Sequence, residues 1–447
     1  MMKKGEFNFG SIRHGVRDLK DRLIFIFLSL IIFRAGSFIP IPGIDMFSMT
    51  KTFNEQRGGT VIEILNMFSG GAFGRASIFA LGIMPYISSS IIVQLLTVIH
   101  PKLAEIKKEG EVGRSIINRY IRYGTLLLSF VQSAGISFGM KNSMGAKGLI
   151  MIKDLHFYII SIVSLMTGTV FLMWLGEKIN EKGIGNGVSM LIFISIVSEI
   201  PSSTINIVEQ VRQGSIDLVV FFFIIFLILC ITCFVTFIER SQRKILVNYA
   251  RHQYRRRIYS AQSTHLPLKI NMASVIPAIF TSSVMLLPSA ILTWIERKQP
   301  GYLQNLSTLF NSFRPGKPIY MLLYSIIVVF FCFFYTSLLF NPIETADNLK
   351  KSGAFLPGIR PGIQTARYID KIMKRLTFIG SIYISIICLI PELMRELINI
   401  PFYFGGTSLL IVVVVIIDFI SQIQMILMTN RYRNILKKTN FNSIQNL

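Results

Sequence analysis

The spacing most suggestive of metal or redox chemistry in the 447-residue sequence is Cys230-x-x-Cys233, because such a pair can bind zinc or cycle as a disulfide. No second pair accompanies it, and both cysteines lie inside the apolar stretch Leu218–Ile238. The competing reading is of small apolar packing groups, and it also suits Cys332 and Cys388, which fall in apolar stretches of their own. Gly183-Ile184-Gly185-Asn186-Gly187 is rich in glycine but lacks the Lys and Ser/Thr that engage phosphate and magnesium, so it reads as a flexible entry to a helix. His14, His100, His156, His252 and His265 show no metal-ligand spacing, and no nucleophile–base pair can be assigned. The chain is therefore expected to be no enzyme and to carry no cofactor or metal of its own.

The elements around these residues are those of a membrane protein. The chain is 52% hydrophobic and 15% charged, against roughly 25% charged in a soluble domain. Ten apolar stretches are long enough, or nearly so, to cross a bilayer as helices: Leu23–Ile39, Ser77–Val98, Tyr120–Phe138, Leu155–Leu175, Gly187–Ile207, Leu218–Ile238, Met272–Ile295, Ile319–Phe340, Leu376–Ile390 and Phe402–Met428. The segment Met1–Arg22 is too charged for a signal peptide, so the first stretch is read as retained.

The formal charge of +23 would suggest nucleic acid in a polar protein. Alternating the segments between two sides, with both termini cytoplasmic, locates it instead. The inside segments hold 32 basic and 12 acidic residues, a net +20; the outside loops hold 12 basic and 10 acidic, a net +2. That asymmetry obeys the positive-inside rule. The expected organisation is a cytoplasmic segment 1–22, a first five-helix half over 23–207, a second over 208–429 with long cytoplasmic loops 239–271 and 341–375, and a cytoplasmic tail 430–447.

An odd number of spans per half inverts the second half relative to the first. A trace of the repeat survives in spans two and seven: Pro85 is followed by Ile87 and Ser88–Ser90, and Pro277 by Ile279 and Thr281–Ser283. Proline is expected to kink both helices, and the hydroxyls to pack or hydrogen-bond across a helix interface. Before span two, Gly58–Gly59 and Gly70–Gly71 bracket an apolar segment of about ten residues, too short to span and suited to a re-entrant or interfacial position. Asp418 is the one acid read as lying within a span, which leaves little for an ion-coupled transporter to use. An ion-coupled secondary transporter of a small solute, with five-plus-five inverted repeats, is the alternative to a passive conduit. The loop 239–271 carries eight basic residues against one acid, Glu239. Two readings of it stay open: attraction to anionic membrane lipids, worth about 1 kcal/mol per basic residue, and docking of a soluble partner.

Long motifs then carry a resemblance over nearly the whole chain: RAGSFIPIPGID at Arg34–Asp45, NMFSGGAFGRASIFALGIMPYISSSIIVQ at Asn66–Gln94, GIGNGVS at Gly183–Ser189, QSTHLPLKINMASVIP at Gln262–Pro277, NPIETADNLKKSGAFLPGIRPG at Asn341–Gly362 and FYFGGTSLLIVVVVIIDF at Phe402–Phe419. They resemble the SecY family, the channel subunits of bacterial protein translocases. The resemblance implies an all-α polytopic protein of ten transmembrane helices in two inverted five-helix halves forming a clamshell. It further implies a pore for unfolded polypeptide that opens laterally to lipid, in the bacterial inner membrane.

Carried over position by position, the apolar pore ring falls on Ile83, Ile87, Val188, Ile192, Ile279 and Ile411; Val188 is smaller than the isoleucine usual there. The plug falls at about 62–73, with Ile62, Ile64, Leu65, Met67, Phe68, Gly70 and Gly71. Pro85, Gln94, Pro277, Thr281, Ser282 and Ser283 map to the lateral gate, and Arg256, Arg257 and Arg360 to the docking loops. The implied partners are SecE-like and SecG-like subunits, a SecA-like ATPase motor, the ribosome, preprotein signal sequences and membrane lipids. Single cysteines at Asn142 and Gln304 are expected to react with an impermeant thiol reagent from the outer face; reaction only from the cytoplasmic face would overturn the topology.

Overall fold

The computed structural model describes residues 9–45, 49–50, 66–144, 154–214, 217–249, 253–254, 257–258, 263–285, 317–398 and 406–444. The chain divides into two compact units, one built from Met1–Thr204 with Val415–Leu447 and the other from Ile205–Val414.

The first unit begins with α1 (Phe9–Gly36). The chain then turns through Pro40, which bridges Ser77, and after a single helical turn at 66–68 runs as successive turns up to α2 (Met84–Ile99). These turns are anchored by an apolar core of Ile41, Ile44, Met49, Ala76, Ala80 and Leu81 with Phe157 and Leu165. Phe79 stacks between Phe33 and Phe171, with ring centroids 6.0 and 5.9 Å away. After α2 the chain bends by 102° into α3 (Pro101–Lys108). Then follow α4 (Glu111–Met144), α5 (Asp154–Lys182) and α6 (Gly187–Arg212). Helix α4 packs on α2 and α5, and α5 on α1. Arg122 donates two hydrogen bonds of 2.9 Å to Glu177, tying α4 to α5.

The second unit starts in the last turns of α6 and continues with α7 (Leu218–Arg240). Val219 and Phe237 on α7 are 79% and 73% exposed, as apolar side chains facing lipid would be. Next come β1 (Gln242–Tyr249), β2 (Gln253–Tyr254), β3 (Arg257–Ile258), β4 (Ser263–Lys269) and the helix α8 (Ile276–Met285). They are followed by α9 (Pro318–Leu339), α10 (Pro342–Lys351), β5 (Ala354–Phe355), α11 (Ile363–Ile398) and α12 (Gly406–Ile444), whose residues from Val415 onward belong to the first unit.

Strands order as β4-β1-β5, all antiparallel, with β2 and β3 paired separately. This small sheet is an addition to the all-helical expectation. Its sequence logic is a period of two: Ile245 and Val247 are buried while Leu246 between them is exposed. Pro267 is tolerated because β4 is an edge strand.

Among the described residues, six helical stretches are long and apolar enough to cross a membrane, or seven if the bent pair α2–α3 is one span. Helices α1 and α4 are long enough but carry most of their charged residues in their N-terminal turns, and α8 is described for ten residues. Two expected boundaries move. Span two, read from Ser77, is helical only from Met84, and span seven, read from Met272, only from Ile276.

The expected proline kinks are absent for the same reason. Pro85 and Pro277 are each the second residue of their helix, where the missing N–H had no intrahelical partner in any case. Two residues before each helix stands one with left-handed backbone, Gly82 (φ +58°) and Ser274 (φ +56°). The repeat glimpsed in sequence is thus a repeated helix start.

Candidate functional site

The residues 66–74 form a compact turn in the first unit, held by its own polar groups. Asn66 O accepts from Gly71 N (2.9 Å) and Ser69 Oγ (3.0 Å), and Asn66 Oδ1 accepts from Gly74 N at 2.7 Å. Gly70 (φ +67°) and Gly71 (φ +79°) adopt a conformation that side chains disfavour. A Cβ on Gly70 would lie 2.9 Å from Ser198 Oγ and 3.0 Å from Ser195 Cα, so the backbone is pressed against α6.

Two guanidiniums bind the carbonyls that this turn leaves free. Arg34 Nη1 donates to Gly70 O at 3.0 Å and to Ser198 Oγ at 3.1 Å. Arg75 Nη2 donates to Gly70 O at 2.8 Å and Arg75 Nε to Gly71 O at 2.9 Å. Both cations lie over the Phe38 ring, 4.8 and 4.3 Å from its centroid. Asn66 Nδ2 donates to Glu199 Oε1 at 2.9 Å, linking the turn to the carboxylate of α6. Burial lowers the Arg75 pKa below its ordinary value, the charge of Arg34 lowers it further, and Glu199 opposes both. The carboxylate thus offsets part of the cost of bringing two like charges together.

Of the plug positions, Ile62, Ile64 and Leu65 lie outside the described residues, while Phe68, Gly70 and Gly71 are buried and Met67 is half-buried in the turn. All six pore-ring positions stand at helix beginnings. Ile83 immediately precedes α2, and Ile87 N donates back to Ile83 O at 3.1 Å, so the two share a helix face. Val188 and Ile192 occupy the first two turns of α6, Ile279 the first turn of α8 and Ile411 the second turn of α12.

The gate positions bond locally. Thr281 Oγ1 donates to Pro277 O (2.9 Å), Ser282 Oγ to Ile279 O (2.8 Å) and Ser283 Oγ to the same carbonyl (2.9 Å). Gln94 Nε2 donates to Ser90 Oγ at 3.2 Å. These hydroxyls and amides satisfy their own helices. The bond expected between helices is made by Ser89, whose Oγ donates to Ile121 O of α4 at 2.7 Å.

On the loops, Arg256 lies outside the described residues, and Arg257 begins the short strand β3. Arg360 is exposed, between Gly358 (φ +77°) and Gly362 (φ +104°), and its carbonyl accepts from Thr365 Oγ1 at 3.0 Å.

The SecY family model matches residues 77–420. The chain belongs to the SecY family. Protein translocase subunit SecY of Escherichia coli strain K12 is 58% identical over 441 residues, covering 98% of this chain and 99% of that protein. Among solved structures, one described as a protein-conducting channel aligns with a TM-score of 0.59 at 17% identity, over 92% of this chain and 93% of that one. Sec61 in the canine ribosome-channel complex from the endoplasmic reticulum aligns with a TM-score of 0.56 at 17% identity, over 92% and 93%. The fold is that of these channels.

Within this family fold, the polar cluster Arg34, Asn66, Arg75, Ser198 and Glu199 is what the residue-by-residue reading missed. Glu199 was the available signal. It lies inside the apolar stretch Gly187–Ile207 and stands within α6, so Asp418 is not the one acid within a span. The close approach at Gly70 yields a graded prediction. Gly70→Ala should destabilise the purified complex by more than the roughly 1 kcal/mol that left-handed backbone alone costs an alanine. Gly358→Ala, where a Cβ meets nothing within 4 Å, should cost only that strain. Equal losses in thermal unfolding would show that residues 66–74 are not pressed on α6.

Proposed function

We propose that this chain is the central pore-forming subunit of a Sec preprotein translocase, passing unfolded polypeptides across the membrane and releasing apolar segments laterally into the bilayer. The full-length relationship to bacterial SecY carries the reading. It is a passive, multi-pass membrane channel subunit, and no observation favours the small-solute transporter. A partner motor supplies the ATP hydrolysis.

The pore positions suit a seal. Isoleucine and valine side chains offer a moving chain no hydrogen bond to hold it, and a narrow apolar constriction excludes water and ions by dewetting. At α2 and α8 the helix start is fixed by the turn before it, which holds Ile83, Ile87 and Ile279 in place. Segment 62–73 acts as the plug, with the Arg34 and Arg75 contacts to Gly70 and Gly71 holding its C-terminal end at rest. Helices α2 and α8 are the gate helices.

The basic sheet and the Arg360 turn receive a SecA-like motor or the ribosome. The ribosome-bound Sec61 neighbour supports the second of these partners. SecE-like and SecG-like subunits complete the complex in the bacterial inner membrane, with both termini of this chain cytoplasmic.

Reconstitution with SecE-like and SecA-like partners should protect an added preprotein from protease only when ATP is present. Solute uptake driven by an ion gradient, without preprotein protection, would reject the reading. Arg360→Glu reverses an exposed charge on a turn pinned by two glycines, so it should abolish motor-driven translocation while the complex still assembles. Full activity of that variant would remove Arg360 from the docking surface.

A further inference from the structure

The two basic loops of the second unit are one body. The β1–β4 ladder runs from Gln242↔Lys269 to Asn248↔Ser263, and β5 adds to β1 at Asn248↔Phe355 and Tyr249↔Ala354. Ile245, Val247 and Leu268 share a buried core with Ala354 and Leu356 from the other loop and with Ile369, Met373 and Leu376 of α11. Packed cores of this kind shift as units and do not deform continuously.

At the base of this body sits a carboxylate in an unfavourable place. Glu239 is 7% exposed, in the last turn of α7, where both burial and the negative end of the helix dipole oppose its charge. Asn271, itself 4% exposed, answers it. One proton of Asn271 Nδ2 goes to Glu239 Oε1 at 2.7 Å and the other to Ser274 O at 3.0 Å, so the amide nitrogen is fully used. Tyr383 Oη on α11 donates to the same Oε1 at 3.5 Å. Ser274 has left-handed backbone and leads directly into α8. A Cβ on Gly380 of α11 would lie 3.1 Å from Ile270 O, so the hairpin base is also clamped from the side.

We propose that the Glu239–Asn271 clasp, which pins the segment opening α8 to the end of α7 where the sheet begins, stiffens the link between the cytoplasmic sheet and α8, making Asn271 a positioning residue for gate movement. Through the clasp, a tilt of the sheet carries the start of α8 with it. Without the clasp, the sheet and α8 are joined by a short backbone segment whose left-handed residue can swivel, and the tilt is absorbed there. The inference rests on the reading that the sheet receives the motor and that α8 lines the gate.

The test uses the complex reconstituted with SecE-like and SecG-like subunits, carrying a fluorophore pair at Gln94→Cys and Ser283→Cys. The SecA-like motor is added with ATP. Asn271→Ala should bind the motor within about twofold of the parent affinity, lose the motor-induced change in the label pair and slow translocation about tenfold, a typical size for coupling between sites. Glu239→Gln keeps an acceptor oxygen for the Asn271 amide and should behave as the parent. If Asn271→Ala prevents assembly, Glu239→Met removes the acceptor from the opposite side and is held to the same outcome. A label response in Asn271→Ala equal to that of the parent overturns the clasp and leaves the docking reading intact. A parent complex that binds the motor without any label change overturns the docking-and-gate reading and the clasp together.

Discussion

In hydrocarbon no water is available to a peptide group, so every stretch of backbone that is not helical must find its partners within the protein. Among the described residues of the first unit, 66–74 show how such a stretch is satisfied. Residues 66–74 leave the helical path, and the carbonyls of Gly70 and Gly71 are met by the guanidiniums of Arg34 and Arg75. The cations in turn need an anion, and Glu199 answers them from α6 through its charge and through Asn66. One irregular turn thus accounts for an acid within a span, a buried asparagine and two half-buried arginines.

The same constraint governs α2 and α8. Each is entered from a left-handed residue, and each places proline second, where an absent N–H leaves no carbonyl unanswered. The hydroxyls that follow in α8 bond to its own backbone. These hydroxyls of α8 are answered within the helix, whereas α2 is tied to α4 through Ser89.

On the charge-rich loops of the second unit the pattern changes. There the backbone pairs as a sheet, and the loops 239–271 and 341–375 meet in a common core with α11. A charge-rich surface is thereby mounted on a stiff support, at whose base Asn271 bridges Glu239 and the turn that opens α8.

Composition and periodicity alone determined the class of molecule and most of its apolar helices, because hydrocarbon selects strongly for long apolar runs. The long motifs around Asn66–Gln94 and Asn341–Gly362 determined the family. What sequence could not decide was where helices begin, since Ser77–Ile83 is as apolar as the helix it precedes and only turn geometry and packing on α5 keep it non-helical. Nor could it reveal that distant residues satisfy one another. Asn66 with Glu199, and Glu239 with Asn271 and Tyr383, are separated by 133, 32 and 144 residues. Partner choice for a buried polar group is settled by which atoms the tertiary structure brings within hydrogen-bond reach, and no local pattern records that.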